Sequence, residues 1–216
     1  MSKMKTRPEN NFHCFEGVGY PYWEAIATGH SPVGKEPRQG PDGSWWEFQQ
    51  DIDGYRLQNG GMERPQVTKL NPGYYFRFFG TVARNRYGPQ GGVSGGWWID
   101  ADTFMAMQRF SETTGYSLAR VAALLLVIPK EWHDCGYLVY AVLNKQMKAF
   151  VGRGRPATGS ISPASPLRDS RSNPVTIGLP HLNIKQYFIP GSRGEIAGAF
   201  AQIWAKQVIK PGLRFF

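Results

Sequence analysis

The sequence predicts an α+β fold, a strongly twisted core of short strands with helices packed against it. Three observations carry this expectation. Residues 74–79 and Tyr137–Leu143 are dense in the aromatic and β-branched side chains that fill strands. Between them stand two helical patterns with capping residues, at Asp100 and at Ser117. The 26 glycines and 16 prolines among 216 residues call for many tight connections rather than long regular elements.

Taken in order, residues 1–70 read as a turn-rich N-terminal segment and residues 71–216 as the main domain. In the first part, residues 22–27 suggest a short helix ending at Gly29. Residues 31–44 form a Gly- and Pro-rich loop, and residues 44–48 with Trp45 and Trp46 a strand or aromatic flap. The turn signal Asn71-Pro72-Gly73 then opens the strand 74–79. Asp100 or Asp102 caps a helix through Phe110, with Phe104, Met107 and Phe110 at helical spacing and Gly115 beyond its end. Ser117 caps a second helix through Leu126. Tyr137–Leu143 is a strand buried on both faces, with residues 147–151 pairing beside it. Residues 152–175 hold no aromatic residue and read as a long loop of Gly, Arg, Pro and Ser. Residues 184–189 form a further strand. Ser192-Arg193-Gly194-Glu195 is a capping box, after which Ile196, Phe200, Ile203, Trp204 and Gln207 fall on one helical face up to Pro211.

Charge and cysteine usage narrow the function classes. The net charge is +9, and all of the excess lies in residues 145–216, where eleven Lys and Arg face two acids. A basic third favours an anionic partner such as nucleic acid or a phosphate-rich ligand, or serves simply as a solvated surface. Cys14 and Cys135 are too distant in sequence to define a disulfide framework or a metal pair, so a reducing, cytoplasmic setting is the default. The longest apolar run, residues 121–128, is closed by Pro129, well short of the roughly 20 residues needed to span a bilayer. Residues 1–10 are polar and charged, so ordinary signal-peptide export is not expected.

Motifs for phosphate loops, zinc proteases and nucleophile elbows are absent, and the four histidines are scattered, so no metal site is expected. The chemistry-bearing residues lie in three aromatic-framed segments. In the first, alternation puts Tyr75, Arg77 and Phe79 on one strand face, where the planar guanidinium of Arg77 matches a phosphate. In the second, Gly91-Gly92-Val93-Ser94-Gly95-Gly96-Trp97-Trp98 offers flexible backbone amides and two large rings for stacking, one of which belongs in the core. In the third, Gln186 is an amide in an apolar strand, pointing either outward or to a ligand. Glu195 and His181 are further candidates for an acid or base, although the capping box favours a structural Glu195.

Together these segments resemble the NAD-consuming toxin domains of the ADP-ribosyltransferase superfamily, both mono-ADP-ribosyltransferases and NAD glycohydrolases of the tuberculosis-necrotizing-toxin type. The resemblance covers residues 71–191. It runs through Tyr75-Phe76-Arg77, Gly95-Gly96-Trp97, the strand at 137–142, and Gln186-Tyr187-Phe188-Ile189-Pro190. It implies an ADP-ribosyltransferase-like core that binds NAD as substrate through Tyr75, Arg77, Ser94, Gly96, Trp97 and Trp98, with Arg77 and Gln186 catalytic and no metal. It also implies a bacterial effector toxin delivered into a target-cell cytoplasm, a macromolecular acceptor such as RNA or DNA or else water, and a neutralising immunity protein. The chain departs from the pattern in having no Ser-Thr-Ser strand, only Ser160-Ile161-Ser162, and no Glu-x-Glu or Gln-x-Glu motif before the last strand. With Gln186 in place of that glutamate, the resemblance leans towards hydrolysis or an atypical transfer site. The alternative is a non-enzymatic nucleic-acid-binding protein, with Arg153, Arg155, Arg168 and Arg171 on phosphates and exposed aromatics on bases.

Overall fold

The computed structural model describes residues 9–32, 55–57, 60–128, 132–155, 157–159, 175–177 and 184–208. A 3-10 turn, Phe12–Phe15, leads into α1 (Gly19–Ala27), followed by the short strands β1 (His30–Pro32) and β2 (Tyr55–Leu57), which pair with each other. The central elements are β3 (Met62–Leu70), β4 (Gly73–Phe79), α2 (Thr81–Val93), β5 (Trp97–Asp100), α3 (Ala101–Thr114) and α4 (Leu118–Leu125). Then come β6 (Tyr137–Leu143), β7 (Met147–Gly154) and the small pair β8 (Ala157–Gly159) and β9 (Val175–Ile177). The chain closes with β10 (Lys185–Phe188), α5 (Arg193–Ala197) and β11 (Phe200–Gln207). The class is α+β. No helix among the described residues is long and apolar enough to cross a membrane.

Seven strands form one sheet in the order β11-β6-β4-β5-β10-β7-β3, and every neighbouring pair is antiparallel. Its centre is thinly joined. β4 pairs with β6 along its whole length, from Gly73 opposite Leu143 to Phe79 opposite Tyr137. With β5 it pairs only at Tyr75–Asp100 and Phe76–Ile99. Beyond Phe76 the two halves of the sheet part, because β5 turns to pair with β10 through Trp98–Tyr187 and Trp97–Phe188.

Alternation along β4 assigns the two faces as expected. Tyr75 and Phe79 join Val139, Ala141, Trp98 and Phe200 in a core covered by α2 and α5. Phe76 and Phe78 join Ile99 and Leu138 in a second core covered by α3 and α4, where Phe76 stacks on Phe104 at 4.3 Å. A third cluster sets α1 and the preceding turn on Phe150 and Phe188. The helix starts are those the capping residues predict. Asp100 accepts from the Thr103 amide, Ser117 from that of Arg120, and Ser192 and Glu195 close a reciprocal capping box. Gly115 ends α3 in the left-handed conformation, φ +70°, that glycine adopts without strain.

Four expectations are corrected. Residues 62–70, assigned above to the turn-rich segment, are the sheet's edge strand β3. β7 does not pair with β6, because β4 and β11 already occupy both edges of β6, and it joins β3 and β10 instead. Gly91 and Gly92 belong to α2, which breaks at Gly88 (φ +65°) and restarts at Pro89, so the true loop is only residues 94–96. The helix expected from the capping box through Gln207 stops at Ala197, and residues 200–207 are a strand. A bulge at Gln202 (φ +48°) puts one extra residue between Ala201 and Trp204. It therefore sets Phe200, Ile203 and Ala205 on one face, a three-residue step that imitates a helix in sequence. The 44–48 flap lies outside the described residues.

Candidate functional site

Where β4 and β5 part, a cavity of about 240 Å³ opens. β4 contributes Arg77 and Phe78, β5 contributes Trp97 and Ile99, and β10 contributes Gln186. Residues 126–128 and Trp132–His133, between α4 and β6, form much of the remaining wall, together with Gly61. Two non-glycine residues of that connection adopt left-handed backbone, Val127 (φ +58°) and Cys135 (φ +52°). For a β-branched valine this conformation costs about 1–3 kcal/mol and persists only where the surroundings enforce it.

Arg77 extends from the Tyr75 face of β4 towards the start of β5. Its Nη1 donates to the Gly92 carbonyl at 2.5 Å, while Nε is buried and unpartnered. Gly95 lies directly on the guanidinium. A Cβ there would stand 2.1 Å from Arg77 Cζ, so the close approach requires glycine. No carboxylate among the described residues pairs with the charge. Burial brings the guanidinium pKa down to about 10, with a smaller push from the positive charge of Arg193.

Gln186 is buried in β10. Its Nε2 donates to the Leu126 carbonyl at 3.1 Å and packs against Gly154, where a Cβ would come within 2.6 Å. This amide therefore ties the far half of the split sheet to the segment that roofs the cavity. Trp97 leans on Phe188 with ring centroids 5.1 Å apart, and Trp132, half exposed, stands at the mouth.

One of the four scattered histidines, His133, is a lining residue. His133 Nδ1 accepts from the Cys135 amide at 3.1 Å. Burial, with the charge of Arg77 as the second cause, lowers its pKa to about 4. The ring is thus neutral at pH 7, its Nε2 carries the proton, and it can donate. Its neighbour Asp134 fixes the loop by accepting from the Thr81 hydroxyl and from the amides of Thr81 and Gly136. Burial alone would raise the Asp134 pKa, but these hydrogen bonds outweigh it and hold the carboxyl below its ordinary value. No periodicity marks residues 132–134 in sequence; their only signal is a Trp-His-Asp run beside a strand.

The sequence-predicted residues divide. Arg77, Trp97, Trp98 and Gln186 meet at the cavity. Trp98 is chiefly a core residue, stacked 4.0 Å from Phe200 with its Nε1 donating to the Gly95 carbonyl. Tyr75 does not line the cavity. It packs edge-on to Tyr187 and donates to the Asn71 carbonyl. The Ser94 hydroxyl donates to the Gly91 carbonyl at the end of α2, and Gly96 is pressed against Phe188 and the Ile189 carbonyl. Glu195 stays in its capping box, 3.3 Å from His13. His181, Arg168 and Arg171 lie outside the described residues.

Cys14 and Cys135 are free and buried, and burial pushes both thiols well above their ordinary range. No group of three His, Cys, Asp or Glu gathers among the described residues. The cavity thus offers one fixed cation, one amide, one neutral imidazole and several aromatic walls, a set suited to an anion attached to flat rings. Compared with known proteins, the chain matches no family model, no curated protein and no solved structure.

Proposed function

We propose that this protein cleaves the nicotinamide–ribose bond of NAD at the opening between β4 and β5, passing ADP-ribose to water or to a macromolecular acceptor. One observation carries the reading: Arg77, Trp97 and Gln186, from segments far apart in sequence, meet at a single cavity. At about 240 Å³ it falls below the ~300–1,000 Å³ usual for small-molecule sites and suits one ring-and-ribose end of the dinucleotide. In this reading Arg77 holds the diphosphate, Trp97 stacks on a ring, and Gln186 addresses the ribose as positive charge grows at C1′. His133 adds a hydrogen-bond donor. Catalysis then rests on positioning and electrostatics, with nicotinamide leaving as a neutral molecule. No carboxylate stands among the described lining residues, which favours water as the acceptor. Water adds to C1′ and its proton passes to solvent. An enzyme of this kind would deplete its own cell of NAD, so a neutralising partner belongs to the proposal.

The test is nicotinamide release from NAD by the purified protein, with Arg77→Ala and Gln186→Ala alongside and with lysate or RNA added in parallel. Release by the wild type alone, lost in both variants, supports hydrolysis, and release only with lysate or RNA supports transfer. No release by folded protein under any condition overturns the proposal.

A further inference from the structure

A second, larger hollow of about 860 Å³ lies at the end of β3, β7 and β10, and its chemistry is unlike that of the first. Four cations line it, Arg64, Arg153, Arg155 and Lys185, against one acid, Glu63. Arg155 is already engaged, donating through Nε and Nη2 to the Gly60 carbonyl and through Nη2 to that of Thr28. The other three are exposed.

Their placement follows from the sheet. Lys185 stands opposite Arg153 and Arg153 opposite Glu63, a row across three neighbouring strands. Arg64 would ordinarily point to the other face. It sits in a bulge, φ +43°, where β3 gains one residue between Glu63 and Gln66, and it lines the hollow with the others. Bulges that re-aim a side chain at a cost in backbone strain are concentrated near functional surfaces. The hollow also adjoins the cleft, since Lys185 and Met62 line it while their chain neighbours Gln186 and Gly61 line the cavity.

We infer that this groove binds the phosphodiester backbone of a single-stranded nucleic acid. Three exposed cations spread over three strands match a run of phosphates better than one compact anion, and a concave basic track suits a flexible strand. The inference needs only the groove and stands whether or not the cleft cleaves NAD.

The experiment is fluorescence anisotropy with a labelled single-stranded RNA or DNA of about 16 nucleotides, the matching duplex as a second arm, and pyrophosphate as competitor. Three phosphate contacts give a log–log salt slope of about −2, so affinity should drop roughly 20-fold between about 50 and 200 mM salt. Arg153→Ala should cut that drop to roughly 7-fold. Arg64→Ala/Arg153→Ala/Lys185→Ala should abolish binding while circular dichroism stays unchanged, and Arg77→Ala should bind as the wild type does. Absence of binding at low salt overturns the inference. So does equal or tighter binding of the duplex, displacement by equimolar pyrophosphate, or binding that survives the triple substitution.

Discussion

Replacing Arg77 with methionine should leave the fold as stable as before, or slightly more stable, while removing its chemistry. A guanidinium held at a pKa of about 10 carries a burial penalty of roughly 3 kcal/mol at neutral pH. Against this stands its hydrogen bond to the Gly92 carbonyl, worth about 1.5–3 kcal/mol for a charged donor. Methionine keeps the apolar stem packed under Gly95 and carries no charge. The two terms nearly cancel, so Arg77→Met should shift the unfolding free energy by between about 0 and +2 kcal/mol. Urea unfolding at pH 7 with a common m-value measures this directly. The pH dependence provides a second reading. Because the folded pKa lies below the unfolded one, the wild type bears its full penalty below about pH 10 and is relieved of it above that. The gap between the two proteins should therefore close as the pH rises through this value. A variant that lost about 3 kcal/mol or more would show that the arginine is a strut between β4 and α2, and the ligand reading would fail with it.

His133 offers a second test with the same sign of pH dependence but in the acid range. The unfolded chain takes up a proton on this ring before the folded one does, so stability should decline as the pH falls from the ordinary imidazole range to about 4. The loss should amount to roughly 3 kcal/mol, and His133→Asn, which keeps an acceptor for the Cys135 amide, should remove it from urea-unfolding curves. Trp98→Ala should destabilise by about 3–5 kcal/mol in the same assay through the void left against Phe200, a cost too large for a residue that served only to stack on a ligand.

What could be read from sequence was local. Asp100, Ser117, Ser192 and Gly115 act within one helical turn, and each stands where its chemistry predicts. The faces of β4 follow from alternation alone. Interruptions of periodicity defeated the same reasoning. At β11 one extra residue turned a two-residue repeat into a helix-like one, and at α2 Gly88 and Pro89 disguised helix as loop. The site was legible in its strand residues, Arg77, Trp97 and Gln186, because a polar side chain or an extra ring inside an apolar strand is conspicuous. His133 was not, because its position depends on Asp134 reaching residue 81, a contact between segments with no local signature. Nor does any property of residues 73–79 or 97–100 disclose that their pairing stops after two residues. That depends on β10, almost ninety positions later, drawing β5 away.

The bulges at Arg64 and Gln202 occupy equivalent places, one on each outermost strand of the sheet. A border strand with an unbroken row of amides and carbonyls invites a strand of another molecule to extend the sheet. Here each border is kinked by a non-glycine residue in left-handed backbone, and on one side Pro65 follows at once and removes an amide. Each kink shortens the unbroken stretch of border that a strand of another molecule could pair with, so the two margins of this aromatic-rich sheet are less open to edge-to-edge growth.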